Sequence, residues 1–244
     1  MKQLDRLMMV LAVLCGVGSL VAFVIIWPAG LINLRWPMWA ALACDTLLSV
    51  VFFVQHSGMV RRSFRTWLAR FVPARYDGAI YAIGSGLALA VVTAFWQPTE
   101  VHVFVVSGAG AWIVRSGAVL ALGVAAWGFW ALRSVDLFGL WPIRAHLHDV
   151  PVKKAPFVAR GPYRWVRHPL YACALVVIWS CPDVTADRLL FDVLWSVWIC
   201  LGTIWEEKDL SADFGDAYRD YQRRVPMLLP WRGRLEAPGN ATIG

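Results

Sequence analysis

The 244-residue chain is 59% apolar and only 16% charged, well below the roughly 25% charged residues of a soluble domain. Its mean hydropathy is +0.57, and its net charge of +7 comes from basic residues set between apolar runs. Without a basic recognition helix, an aromatic-interleaved patch or zinc-finger spacing, that charge argues against nucleic acid as a partner. It fits the loops of a membrane protein.

Residues 7–27 are the first long apolar run and follow Lys2 and Arg6. The run is too long for a signal-peptide core and lacks an AxA-like cleavage site, so it predicts a retained transmembrane helix. Further spans are expected at 36–56, with Pro37 tolerated in the first turn, at 78–97 and at 112–132. Between the last two, 98–110 reads as a short loop or shallow re-entrant turn. A fifth apolar segment, 170–182, ends at Pro182 and is too short to cross a core of ~30 Å upright. It must be lengthened at its ends or form a tight hairpin with a sixth segment at 188–205. The expected fold class is therefore all-α, a polytopic membrane helix bundle of about six transmembrane helices.

The gaps set the orientation. Arg61, Arg62, Arg65, Arg70 and Arg75 crowd 58–77, and Arg144, Lys153, Lys154, Arg160, Arg164 and Arg167 lie in 134–168. The stretch from 206 onward holds six more basic residues, whereas 98–110 holds no Lys or Arg. Cytoplasmic basic loops then put both termini inside a multi-pass protein of the bacterial inner membrane. The expected organisation is a four-helix membrane region over 1–133, a core over 134–234 with a membrane hairpin at 170–205 and cytoplasmic C-terminal helices, and a flexible tail over 235–244. The Asn-Ala-Thr triplet at 240–242 matches a glycosylation pattern that this orientation makes idle. Gly-rich segments at 84–86 and 108–110 suit packing within or between chains, leaving oligomeric state open. Five cysteines without metal-like spacing read as small buried hydrophobes. His146 and His148 lack a third ligand, so no metal site is expected.

Two features carry chemistry. The first is GPYRWVRHP, 161–169: Gly161-Pro162 breaks the chain, and Pro169 can open a helix at its own first turn. Arg167 and His168 then stand at the mouth of that helix, where unpaired N–H groups favour an anion. The second is the stretch 203–231. Glu206 and Glu207 end the last hydrophobic segment, and Leu210 and Phe214 give the continuing helix an apolar side. Gly215 interrupts it, Tyr218 and Tyr221 recur at i,i+3, and Val225-Pro226 stops the next helix. Paired acids at a membrane boundary call for a cation. A ligand with both a carboxylate and a positive centre fits, S-adenosylmethionine among them; from the residues alone, an anionic lipid headgroup fits equally.

The run GPYRWVRHPLY, a membrane hairpin and EEKDLSADFGDAYRDYQRRVPMLLP together resemble the isoprenylcysteine carboxyl methyltransferase and phospholipid methyltransferase superfamily of integral membrane enzymes. The matching positions are Arg167, His168, Pro169, Tyr171, Glu206, Glu207, Gly215, Tyr218 and Tyr221, within 159–231. VQHSGMVRRSFR at 54–65, DLFGL at 136–140 and VPMLLP at 225–230 are similar to the bacterial branch that contains methanethiol S-methyltransferases. A related branch occurs beside denitrification genes without an assigned reaction. The match departs where a histidine–aspartate pair would precede LFGL: this chain has Ser134, Val135 and Asp136.

The resemblance implies S-adenosyl-L-methionine as cofactor, in a pocket open to the cytoplasm and capped by the C-terminal segment. His168 and the backbone after Pro169, at Leu170, would bind the methionyl carboxylate, with Arg167 beside them. Glu206, Glu207 or both would hold the amino end or ribose, and Tyr163, Tyr171, Tyr218 and Tyr221 would line the adenosine cleft. The acceptor would enter from the lipid, a small thiol being favoured over a prenylcysteine carboxylate or a phospholipid amine. Catalytic expectations fall on Arg167, which can favour a thiolate, and on His56 and Asp136 at helix ends beside the acceptor. The rival readings are a nicotinamide-dependent membrane reductase and a non-enzymatic membrane protein.

Overall fold

The computed structural model describes residues 2–26, 30–132, 136, 138–151, 157–233 and 235. Ser134, Val135, Lys153, Lys154 and the triplet at 240–242 lie outside them, as does nearly all of the segment expected as a flexible tail. Nine α-helices and two short strands are present among the described residues. Five are long and apolar enough to cross a membrane: α1 (Lys2–Ile26), α2 (Met38–Val60), α4 (Asp77–Phe95, preceded by a 3-10 turn at Ala74–Tyr76), α5 (Gly108–Ala131) and α8 (Ala186–Phe214). The short helices are α3 (Arg62–Leu68), α6 (Trp141–Leu147), α7 (Pro169–Trp179) and α9 (Asp216–Arg224). The chain is thus a multi-pass, all-α membrane bundle.

The 25 residues of α1 extend ~38 Å at 1.5 Å per residue, enough for the hydrocarbon core, whereas α7 extends only ~16 Å. The stretch 98–110, expected as a loop or re-entrant turn, instead carries strand β1 (His102–Val105), which pairs with β2 (Asp183–Thr185) just after α7. That ladder satisfies backbone groups that neither a helix nor lipid would serve.

The chain divides into two compact units, one formed by 1–104, 136–154 and 184–195 and the other by 105–135, 155–183 and 196–244. In the first, α1 packs on α4 through small residues: Ala12, Gly16 and Ser19 are buried on one helix, and Ala79, Ala82, Ser85 and Gly86 on the other. Small side chains let two backbones approach where lipid offers no hydrophobic drive. Gly139 of DLFGL has φ +67°, and a Cβ there would lie 2.3 Å from the Gly78 Cα. Any side chain would force the two segments apart.

Aromatic rings fill the rest of this unit. Phe191 and Trp195 stack at 4.7 Å, and Trp195 also stacks on Phe52 at 5.2 Å. Asp5 is fully buried in α1, yet it accepts the Tyr76 hydroxyl at 2.5 Å and pairs with Arg75 at 3.3 Å. A buried charge demands such partners.

In the second unit α5 packs on α7 and on the 3-10 turn Gly161–Arg164. α8 ends at Phe214 because Gly215 adopts φ +59°, a left-handed conformation that glycine enters without steric cost. α9 then turns Tyr218 and Tyr221 inward, against Phe157, Ala159, Leu210 and Phe214. Its other face carries Asp216–Arg219 and Asp220–Arg223 pairs at i,i+3.

Candidate functional site

The site grows from the turn before α7. Gly161-Pro162 opens a short 3-10 turn, and α7 starts at Pro169 with His168 as its N-cap residue. Proline suits that first position because it has no N–H to satisfy. The first intrahelical bond joins Ala172 N–H to the His168 carbonyl at 3.0 Å, so the amides of Leu170 and Tyr171 precede the ladder. The Leu170 side chain seats against Gly128 of α5, where a Cβ would lie 2.9 Å from it.

The backbone N–H groups of Arg167 and His168 donate to the carbonyls of Pro226 and Met227 at 2.9 and 3.1 Å. The stretch after α9 is therefore laid along the RHP turn. Its continuation is fastened too: Arg164 Nε donates to the Leu235 carbonyl at 2.7 Å, and Leu235 N–H returns a bond to the Arg164 carbonyl at 2.8 Å.

Arg167 is 10% exposed and binds protein groups: its Nε donates to Glu207 Oε1 at 2.5 Å, and its Nη1 to the carbonyls of Val225 and Gln222 at 2.5 and 3.0 Å. His168 is buried, with Nε2 3.2 Å from Glu207 Oε1 and Nδ1 3.8 Å from Glu206 Oε2. Tyr171 stacks flat on the His168 ring at 5.5 Å. Gln222 Nε2 donates to Glu207 Oε2 at 3.1 Å. Glu206 differs: its Oε2 is buried without a hydrogen-bond partner among the described residues.

The Tyr221 hydroxyl donates to the Tyr163 carbonyl at 2.5 Å. The Tyr218 hydroxyl is buried beside Arg167 without a hydrogen bond of normal geometry among the described residues. Burial first, and the nearby charge of Glu206 second, push the Tyr163 phenol above its ordinary range. Burial raises those of Tyr218 and Tyr221 as well, so all three stay neutral O–H donors.

Tyr163, Arg167, His168, Pro169, Tyr171, Glu206, Glu207, Tyr218 and Tyr221 thus belong to one unit and are linked through Arg167, His168 and α9. His56 and Asp136 belong to the other unit. His56 Nε2 lies 2.7 Å from the Tyr81 hydroxyl, and its ring rests on Phe52. Asp136 caps α6, accepting the N–H groups of Leu140 at 2.8 Å and Trp141 at 2.6 Å. Both of its oxygens are engaged by backbone.

Sequence reasoning missed Gln222, Tyr81 and the carbonyls of Val225, Pro226 and Met227. Gln222 follows Tyr221 directly and has no periodic signature. VPMLLP was visible as a motif, but nothing local says that its backbone pairs with residue 167.

The chain is 36% identical over 219 residues to a methanethiol S-methyltransferase of Pseudomonas sp. (strain GM41(2012)), covering 84% of this chain and 78% of the relative. It is 35% identical over 207 residues to the Mycobacterium tuberculosis methanethiol S-methyltransferase, covering 81% and 82%. The chain belongs to the methanethiol S-methyltransferase family. A more distant similarity, 27% identity over 70% of the chain, links it to nurim of Rattus norvegicus, which accords with the isoprenylcysteine methyltransferase superfamily. No family model matches the chain, and no solved structure does. As a member of the methanethiol S-methyltransferase family, the protein is a membrane methyltransferase, an activity that requires a methyl donor and an acceptor.

Proposed function

We propose that the protein methylates a small thiol with S-adenosyl-L-methionine, methanethiol being the acceptor named for its relatives. The observation that carries the donor is the grouping at the start of α7. One buried Glu206 oxygen lacks a hydrogen-bond donor among the described residues, and His168, which lies between the two glutamates, is the N-cap residue of α7. A molecule with an ammonium and a carboxylate on one carbon fits that donor set: the acid takes the cation, and the helix start with His168 takes the anion. The neutral phenols of Tyr163, Tyr218 and Tyr221 suit an adenosine, which offers an aromatic face and uncharged polar edges.

When bound, S-adenosylmethionine supplies a methyl group on a cationic sulfur, so attack by a thiolate forms one sulfur–carbon bond, breaks another and annihilates charge. The residues contribute alignment and exclusion of water. Arg167 does not bring a net positive charge to the thiolate, because Glu207 neutralises it at 2.5 Å. Proton loss from the thiol to bulk water before entry suffices for the balance. We assign the reaction to the core expected over 134–234. We place the enzyme in the bacterial cytoplasmic membrane with both termini inside, on the charge of its loops.

The test is purified protein with S-adenosylmethionine and methanethiol in a sealed vial. Dimethyl sulfide in the headspace, with one S-adenosylhomocysteine formed per turnover, is expected. Methylation of a prenylcysteine or a phospholipid amine without any dimethyl sulfide would overturn the choice of acceptor.

A further inference from the structure

Beyond α9 the chain passes from buried to bare within a few residues. Val225 and Pro226 are buried and Met227 and Leu228 half-buried, but Leu229 is 67% and Trp231 66% exposed. Both belong to one tight turn about Pro230, closed by the Trp231 N–H on the Leu229 carbonyl at 3.0 Å, a three-residue turn by its spacing. The turn is tethered on either side. Upstream, the Pro226 and Met227 carbonyls accept the N–H groups of Arg167 and His168; downstream, Leu235 exchanges two bonds with Arg164. Large apolar side chains held away from the fold in this way are costly in water and mark a surface that something covers.

Location says what covers it. His168 caps α7, whose 11 residues carry no charged side chain, so Met227, bonded to His168, stands at the mouth of an apolar helix of the bundle. At no more than ~3.6 Å per residue, Leu229 lies within about 7 Å of Met227 and Trp231 within about 14 Å. The neighbouring chemistry is that of a headgroup layer. Stretches 157–167 and 221–233 hold six arginines and no acid. Asp220 of α9 pairs with Arg223 and Arg224, but the exposed Arg160 and Arg232 have no ion pair among the described residues. Trp165, also exposed, precedes Arg167 by two positions. Tryptophan beside arginine suits a membrane–water interface, and anionic lipids attract the cations. We infer that the Leu229–Trp231 turn is an interfacial anchor, seated among the headgroups of an anionic phospholipid bilayer. The stretch laid along the RHP turn is then held from the lipid side as well as by its backbone bonds. A second copy on a two-fold axis would set the same arginines against these without an acid from either stretch to meet them. The anchor depends on neither donor nor acceptor.

The test places the photoreactive p-benzoylphenylalanine at position 229 or 231 of the full chain, in nanodiscs of phosphatidylcholine and phosphatidylglycerol in equal parts. Mass spectrometry after illumination is expected to find phospholipid adducts at both positions and none at position 216, on the outward face of α9. Absence of lipid adducts at 229 and 231, equal yields at 216, or crosslinks to a second copy of the chain in their place would overturn the anchor. Leaving out phosphatidylglycerol should lower the adduct yield several-fold; an unchanged yield would overturn the preference for anionic headgroups. Hold on the RHP turn is read by amide hydrogen exchange in the same nanodiscs. With Leu229→Ser and Trp231→Ser combined, the amides of Arg167 and His168 should exchange on the order of 10-fold faster, while those of α5 keep their wild-type rates. Leu229→Ser alone serves if the double variant does not fold. Wild-type exchange at 167 and 168 would overturn the coupling of the anchor to that turn. No readout uses donor or acceptor, so failure of the anchor and failure of the proposed function are told apart.

Discussion

Asp187 and Glu206 are both acids of α8, one in its first turn and one far along it, and their surroundings differ in kind. Asp187 is 1% exposed and accepts the Trp96 indole at 3.1 Å, the Thr99 N–H at 2.9 Å and the hydroxyls of Thr99 and Thr185, both at 2.7 Å. Its lone pairs are saturated by the fold. Glu206 keeps a buried oxygen with no donor among the described residues. A carboxylate taken from water must recover its lost hydrogen bonds. Where the protein supplies them all, as at Asp187, the acid is an architectural joint. Glu207, with both oxygens engaged, resembles Asp187 more than its own neighbour.

Substitutions can sharpen or break this contrast. The largest effect is expected from Arg167→Ala, which strands the Glu207 charge and cuts the bonds to Gln222 and Val225. A stability loss of about 3–5 kcal/mol, read as a fall in Tm in detergent, should come with loss of donor binding. An unchanged Tm would mean that the Arg167–Glu207 pair is not structural. Asp187→Ala is expected next, at about 1–3 kcal/mol, because buried donors on Trp96 and Thr99 lose their acceptor. Donor affinity measured by calorimetry should stay at the wild-type value; a selective loss of affinity without a Tm change would erase the distinction between the two acids. Tyr221→Phe is the smallest, about 1 kcal/mol, since only the hydroxyl bond to the Tyr163 carbonyl disappears while the ring keeps its packing. A Tm equal to wild type would show that this bond adds nothing beyond the ring.

Much of the helical frame was legible in the chain. Apolar runs expected at 36–56 and 112–132 appear as Met38–Val60 and Gly108–Ala131, and the break at Gly215 and the stop at Val225-Pro226 fall where expected. The sixth run, expected at 188–205, extends instead from Ala186 to Phe214. Hydropathy loses the signal at Glu206, but the helix does not end there, because Glu207 is neutralised and bonded by Arg167 and Gln222. The strands β1 and β2 were hidden for another reason: each is too short for an alternating pattern, and each needs the other.

Local order in the chain decided what local forces govern. Runs of apolar residues long enough for the bilayer became helices, prolines opened them, glycine ended one, and the RHP and Glu-Glu elements carry the resemblance to the family. Partner choice across long separations was decided only by the tertiary structure: Arg167 with Glu207 forty residues away, Trp96 with Asp187 ninety-one away, Asp136 claimed by the start of α6. The reason is that a side chain's type limits which bonds it can make, whereas the number of donors around a buried oxygen depends on everything packed against it. Two glutamates identical in the sequence were made unequal in that way.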